Sequence, residues 1–136
     1  MWTALANIET GHKPTMIDWR MCSDALNILE TMTLHNGGWW LDCDGDPVRV
    51  TDQSGLLLDA LKALVSAGDR LNASGALRLD GAGIQAVRAV LEDLAALMEV
   101  LPERAFLKAH RLTEKRVNDL LAGRNKQAHD YVLLTP

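Results

Sequence analysis

An acidic run at residues 42–46, Asp-Cys-Asp-Gly-Asp, is the part of this chain that most resembles a metal site. Carboxylates at alternate positions open the calcium-binding loop of an EF-hand. The later part of that pattern is missing, because Pro47 stands where the loop needs a glycine and Gln53 where it needs a glutamate. We therefore interpret the run as a solvated turn, and we predict neither a metal nor another cofactor.

Catalytic signatures are missing from the sequence. The chain has no Gly-x-Ser-x-Gly motif, and neither Cys22 nor Cys43 stands in a catalytic pattern. The segment Gly81-Ala82-Gly83 lacks the further residues of a nucleotide-binding loop, so we interpret it as a helix start capped by Asp80. We predict that the protein is not an enzyme, and an enzyme whose site forms only in the fold stays as a third alternative.

The four histidines lie singly along the chain, at His12, His35, His110 and His129. None is spaced from another histidine or from a cysteine as zinc ligands are. His110 falls on or near the apolar stripe of the last helix, so we predict a hydrogen-bonded core or interface histidine there.

Positive charge is concentrated near the end of the chain. Residues 1–102 hold seven Lys/Arg and fourteen Asp/Glu, whereas residues 103–136 hold seven Lys/Arg and four Asp/Glu. Four basic residues recur at helical spacing: Arg104, Lys108, Arg111 and Lys115. Each precedes a member of the apolar stripe by two residues, about 200° around a helix, so we expect a basic stripe opposite the buried face. An acidic protein or the phosphates of a nucleic acid would fit it.

Tryptophan accounts for four of the six aromatic residues. Trp39 and Trp40 are adjacent in a segment expected to be extended, where successive side chains point to opposite faces. We expect one to anchor this segment and the other to be exposed or to cover an interface, as binding hot spots often do. Both tryptophans and the four basic residues form the predicted partner-binding set.

Apolar spacing predicts a mainly α protein, a bundle of about five helices in a single domain at residues 1–136. The helices are expected at about residues 2–9, 15–36, 53–71, 84–101 and 102–123. The fourth has the most regular stripe: Ile84, Val87, Leu91, Leu94, Met98 and Leu101, widened by Val90 and Leu97. The fifth is predicted to bury Phe106, His110, Thr113, Val117 and Leu120. We expect these two helices to pair as a spine, and the widened side of the fourth to meet a second chain.

A β-hairpin is predicted near residues 38–50, with Asp44-Gly45 or Gly45-Asp46 in the turn. A short strand is also possible at residues 77–79. The apolar residues 131–134 are expected to pack against the helical bundle, and an edge strand beside the hairpin is one way in which they would do so. Thr15 and Asp18 resemble a capping box at the start of the second helix.

Composition is that of a folded globular domain: 136 residues, 48% apolar, 24% charged and a formal charge of −4. No segment is long and apolar enough for a membrane span, and the N-terminus does not resemble a secretory signal. We therefore expect a cytoplasmic protein without a membrane partner, and two reduced cysteines.

Three phrases of the sequence carry a resemblance: Lys13-Pro-Thr-Met-Ile-Asp-Trp-Arg with Ser23-Asp-Ala-Leu-Asn, then Arg78-Leu-Asp-Gly-Ala-Gly-Ile, then Ala109-His-Arg-Leu-Thr-Glu-Lys-Arg. Together they resemble small helical accessory proteins of proteobacterial genomes, phages and plasmids. The resemblance implies an accessory or regulatory protein carried on mobile DNA, and it transfers no catalytic residue.

We predict a non-enzymatic helical binding or regulatory protein that acts through protein–protein interaction, as a homodimer or small oligomer. The alternative is a DNA-binding transcriptional regulator that uses the basic last helix. Residues 113–126 resemble the recognition helix of phage-repressor helix-turn-helix proteins. In that motif a turn precedes the recognition helix, whereas helical spacing here runs unbroken through Arg111-Leu112, so one continuous helix explains the pattern better.

Overall fold

The computed structural model describes residues 2–10, 16–74 and 79–123, and these ranges contain five α-helices and one β-hairpin. The helices are α1 (Trp2–Thr10), α2 (Met16–Leu34), α3 (Leu57–Ser74), α4 (Gly81–Val100) and α5 (Glu103–Leu121), and the strands are β1 (Trp39–Leu41) and β2 (Pro47–Arg49). The predicted mainly α bundle with a small hairpin is confirmed. Within the described ranges, no helix has the length and apolar character that crossing a membrane requires.

Helix α2 is the centre of the bundle and packs against α1, α3, α4 and α5. Its buried face is continuous because apolar residues recur every three or four positions. The members of that face are Cys22, Ala25, Leu26, Leu29 and Met32. Met21 of α2 and Trp2 of α1 are exposed.

Helix α4 packs chiefly on α3, and α5 packs on α2, so the prediction of a paired spine of the fourth and fifth helices is wrong. Leu101 and Pro102 are both extended, with ψ of 145° and 157°, and this link turns the chain away from the α4 axis. Val90 and Leu97 were expected to face a second copy, but Val90 is fully buried within the chain. Met98 of the same helix is exposed.

Two aspartates determine where helices begin. Asp80 caps α4 as predicted, because its Oδ1 accepts a hydrogen bond from the Gly83 amide at 2.6 Å. A Cβ at Gly83 would lie 2.9 Å from that same oxygen, so the cap requires glycine there. Asp52 accepts a hydrogen bond from the Leu57 amide at 3.1 Å, which explains why α3 begins at Leu57 and not at Gln53.

A tight turn at residues 35–38 carries the chain from α2 into β1. Asn36, Gly37 and Gly38 all have positive φ, at 53°, 66° and 89°. A Cβ on Gly38 would lie 2.6 Å from the carbonyl oxygen of Val50, so only glycine lets the two backbones approach this closely.

Strands β1 and β2 are antiparallel, with Trp40 opposite Val48 and Leu41 opposite Pro47. The connection contains the five residues 42–46, which include both pairs predicted for the turn, Asp44-Gly45 and Gly45-Asp46. The carboxylate of Asp42 accepts hydrogen bonds from the amides of Asp44 and Asp46 at 2.8 and 2.9 Å. An aspartate that bonds the backbone two residues ahead builds a turn of its own and widens the loop. The interpretation of the acidic run as a turn is thereby confirmed.

Three expectations concern residues outside the described ranges: the Thr15 cap, most of the possible strand at residues 77–79, and the docking of residues 131–134.

Candidate functional site

An open groove of about 670 Å³ lies between the hairpin and α5. We call it the cationic groove. Its walls bring together segments about 65 residues apart in the chain: His35, Asn36, Trp39, Trp40, Leu41 and Pro47 on one side, and Arg104, Ala105, Lys108 and Arg111 on the other. Five of the six predicted partner-binding residues therefore line one surface. The sixth, Lys115, is exposed on α5 but does not line the groove.

The adjacent tryptophans point to opposite faces of β1, as predicted. The Trp40 side chain is buried, with 6% exposure, and its Nε1 donates a hydrogen bond to the Met32 carbonyl at 2.9 Å. Trp39 is 48% exposed. Trp40 thus anchors the hairpin to α2, while Trp39 supplies apolar surface to the groove.

Two groups contact Trp40 at the floor of the groove. The Lys108 Nζ lies 5.9 Å from the centre of the Trp40 indole ring, a cation–π distance. The centre of the His35 ring lies 5.4 Å from the centre of the Trp40 ring, and the two ring planes are inclined by 50°. Because Lys108 belongs to α5 and His35 to the turn after α2, the Trp40 ring is the point at which the hairpin, α5 and this turn meet.

The basic stripe of α5 is exposed, as predicted, and Lys108 is its member nearest the buried face, about 100° around the helix from Ala109. The buried residues of the helix are Ala105, Ala109 and Thr113, so of the predicted line Thr113 is buried, Phe106 is partly buried against the core and His110 is exposed. Small side chains let helices approach closely, and hydropathy spacing favours larger residues over them. Arg104 and Lys108 directly precede the two buried alanines, so each is about 100° around the helix from one. That angle turns them toward the hairpin.

Arg104, Lys108 and Arg111 keep their charges available for a partner. All three are exposed, and none forms an ion pair with any residue in the described ranges. Arg111 donates through Nε to the Leu107 carbonyl at 3.4 Å, within its own helix. The groove therefore combines three uncompensated positive charges with an exposed indole.

His110 is not a core histidine, which was one of the two roles predicted for it; the other, an interface histidine, stays a prediction. Its side chain is 57% exposed, and its Nε2 lies 3.3 Å from the Glu114 carboxylate one turn further along α5. The reason is the position of the buried face, which passes through Ala109.

A buried ion pair between α5 and α2 was not predicted from the sequence. The guanidinium of Arg116 bonds the fully buried carboxylate of Glu30, and its Nη1 donates to Thr31 Oγ1 at 2.7 Å. Thr31 and Thr113 hydroxyls lie 2.7 Å apart in the same cluster. Burial raises the pKa of Glu30, while the hydrogen bond and charge of Arg116 act in the opposite direction. This polar cluster fixes α5 on α2, and the sole signal for it is Glu30 interrupting an apolar stripe.

The buried cysteine, Cys22, offers little to nucleophilic chemistry. Both are free thiols, as predicted, with Cys22 buried and Cys43 exposed. Burial raises the pKa of Cys22 to about 11, which keeps it protonated at neutral pH. Among the described residues, no three His, Cys, Asp or Glu side chains are grouped so that they could hold a metal ion.

Fold and site together define a five-helix bundle with a cationic groove between its hairpin and its last helix. Comparisons with models of protein families, with curated proteins and with solved structures gave no significant match to this chain.

Proposed function

We propose that the protein is a non-enzymatic binding protein, and that its cationic groove receives an acidic, partly apolar segment of a partner protein. The observation that carries this proposal is the convergence of Arg104, Lys108 and Arg111 with the exposed Trp39 on one open surface. Tryptophan and arginine are the residues most enriched in binding hot spots. The cytoplasmic location, the homodimer and a regulatory role on mobile DNA stay predictions from the sequence.

The apolar part of the groove favours a protein partner over a nucleic acid. Trp39 and Leu41 are exposed on the same face of β1, and Pro47 lies opposite Leu41. Single-stranded nucleic acids are bound mainly on aromatic platforms, whereas aliphatic surface of this kind packs against apolar side chains of a protein.

The duplex DNA alternative has less support. Helix α5 runs without a break from Glu103 to Leu121, so the turn of a helix-turn-helix is missing at Arg111-Leu112. The acidic excess of residues 1–102 also repels a polyanion.

The test uses a fluorescein-labelled peptide of glutamate and valine residues, titrated with the full chain and followed by fluorescence anisotropy at about 150 mM salt. Lys108→Glu places a negative charge in the groove, which repels the glutamates of the peptide, so we expect binding at least about tenfold weaker. Lys115→Glu is the matched control, because it makes the same charge change on the same helix outside the groove. Its effect should stay below about threefold, from long-range charge alone.

Equal effects of the two substitutions would reject the groove as the site.

The second part of the test uses a labelled duplex DNA in place of the peptide. We expect no tight binding of random duplex at about 150 mM salt. A mobility shift at nanomolar protein that Lys108→Ala with Arg111→Ala abolishes would establish the DNA-binding alternative instead.

A further inference from the structure

The outer edge of strand β1 has hydrogen-bonding groups that none of the residues described by the structure uses. The Val50 amide donates to the Gly38 carbonyl at 2.7 Å, and the Asp42 amide donates to the Asp46 carbonyl at 2.8 Å. Opposed residues of an antiparallel pair alternate between exchanging hydrogen bonds and exchanging none. By this alternation Trp40 bonds Val48, while Trp39 and Leu41 direct their backbone groups away from β2.

Three backbone groups remain on that outer edge. The Trp39 amide already donates to the Asn36 carbonyl. The Trp39 carbonyl and both the amide and the carbonyl of Leu41 have no partner among the residues that the structure describes. Such an edge is a template on which a further strand can pair.

The edge of β1 borders the cationic groove. All three residues of β1 line the groove, whereas β2 contributes Pro47 alone. Pro47 has no amide hydrogen to donate, which makes the outer edge of β2 a poor template. The geometry therefore distinguishes the two edges of the hairpin, and no residue in the described ranges pairs with the edge beside Arg104, Lys108 and Arg111.

We propose that the partner segment binds as an extended strand that adds to the outer edge of β1, with acidic residues at every second position. This proposal rests on the proposed function and specifies how the groove is used. Side chains of an added strand alternate between the two faces of the sheet. One set lies on the Trp40 face, where the Lys108 ammonium is found, and the other lies on the face of Trp39 and Leu41. Carboxylates suit the first face and apolar side chains the second.

Backbone-modified peptides test the strand addition directly. The probe is a labelled peptide that alternates glutamate and valine. Two control peptides have the same sequence. In one, the amides of every second residue are N-methylated, which blocks one edge of the strand. In the other, the amides of the remaining residues are N-methylated, which blocks the opposite edge. Charge and side chains are equal, so we expect one methylated peptide to bind at least about tenfold more weakly than the other, because only one edge can pair with β1. Equal affinities of the probe and both controls would overturn the proposal.

A pair of protein variants gives the reciprocal test. Leu41→Pro removes the outward amide that the proposal uses and that the β1–β2 ladder does not use. Leu41→Ala keeps the amide and removes most of the apolar side chain. We expect Leu41→Pro to weaken binding at least about fivefold more than Leu41→Ala does, with helical circular dichroism unchanged in both. Equal weakening would assign the effect to the side chain and reject strand addition.

These results separate the two proposals. If the probe binds and depends on Lys108 but ignores N-methylation, the groove is the site and strand addition is wrong. If the probe does not bind at all, both proposals fail. A second copy of the chain could occupy the same edge, so light scattering is run in parallel. A dimer that Leu41→Pro dissociates would show that β1 pairs with a second copy and would overturn the partner proposal.

Discussion

The two sides of α5 use positive charge in opposite ways. On the side that meets α2, Arg116 is mostly buried and bonds the carboxylate of Glu30. On the side that meets the hairpin, Lys108 is exposed and lies over the Trp40 ring without an ion pair among the described residues. A buried charge must be paired to be tolerated, whereas an exposed one is free to meet a partner. Residue type alone does not distinguish the two roles.

Trp40→Ala should have the largest effect on stability. The substitution removes a buried indole and its hydrogen bond to Met32, at a cost of about 3–5 kcal/mol. Trp39→Ala should cost less than about 1 kcal/mol and should weaken binding of the acidic peptide, because Trp39 is exposed. Urea unfolding followed by circular dichroism measures both. Two strongly destabilised variants would show that Trp39 is also a core residue and would remove it from the groove.

Arg116→Ala comes next, with an expected loss on the order of 3 kcal/mol in the free energy of unfolding. The substitution leaves the buried Glu30 carboxylate without its compensating charge. Replacing both members, with Glu30→Met and Arg116→Leu, should recover a large part of the loss, because no buried charge then remains. Peptide binding by the folded fraction of Arg116→Ala should be unchanged, since Arg116 does not line the groove. Weakened binding would mean that the two sides of α5 are coupled.

The pH dependence of stability should identify Glu30. Burial raises its pKa in the folded state above the ordinary value of 4.5, so the folded protein binds the proton more tightly than the unfolded chain. The stabilisation is present below the ordinary pKa and is lost as pH rises through the folded pKa. The stability of the natural chain relative to Glu30→Gln should therefore fall as pH rises from about 4.5, by about 1.4 kcal/mol for each unit of pKa elevation. A difference that rises over this interval would mean that Arg116 outweighs burial.

Lys108→Ala should have the smallest effect on stability, below about 1 kcal/mol, because a cation–π contact at an exposed site contributes little. The same substitution should clearly weaken binding of the acidic peptide. Lys115→Ala is the control and should change neither. A loss of stability as large as that expected for Arg116→Ala would show that Lys108, like Arg116, mainly stabilises the fold.

The elements that depend on local interactions were predictable. Apolar spacing marked all five helices, and the cap at Asp80 depends on a bond to Gly83 three residues away. Alternation along an extended strand placed Trp39 and Trp40 on opposite faces before any neighbour was known. The sequence also placed Asp44 and Gly45 in the hairpin turn, but it did not show that the Asp42 carboxylate would bond the amides of Asp44 and Asp46 and shape the connection.

The groove and the ion pair depended on tertiary structure. Spacing alone could not show that α5 packs through Ala105 and Ala109, because small residues contribute weakly to an apolar pattern yet permit the closest helix contact. That choice of face turned Lys108 toward the hairpin and His110 toward solvent. The sequence by itself determined which residues are basic, which are aromatic and how each helix is patterned. Only packing between distant segments decided which cations would be buried with a carboxylate and which would line a surface, because burial is a property of neighbours and not of residue type.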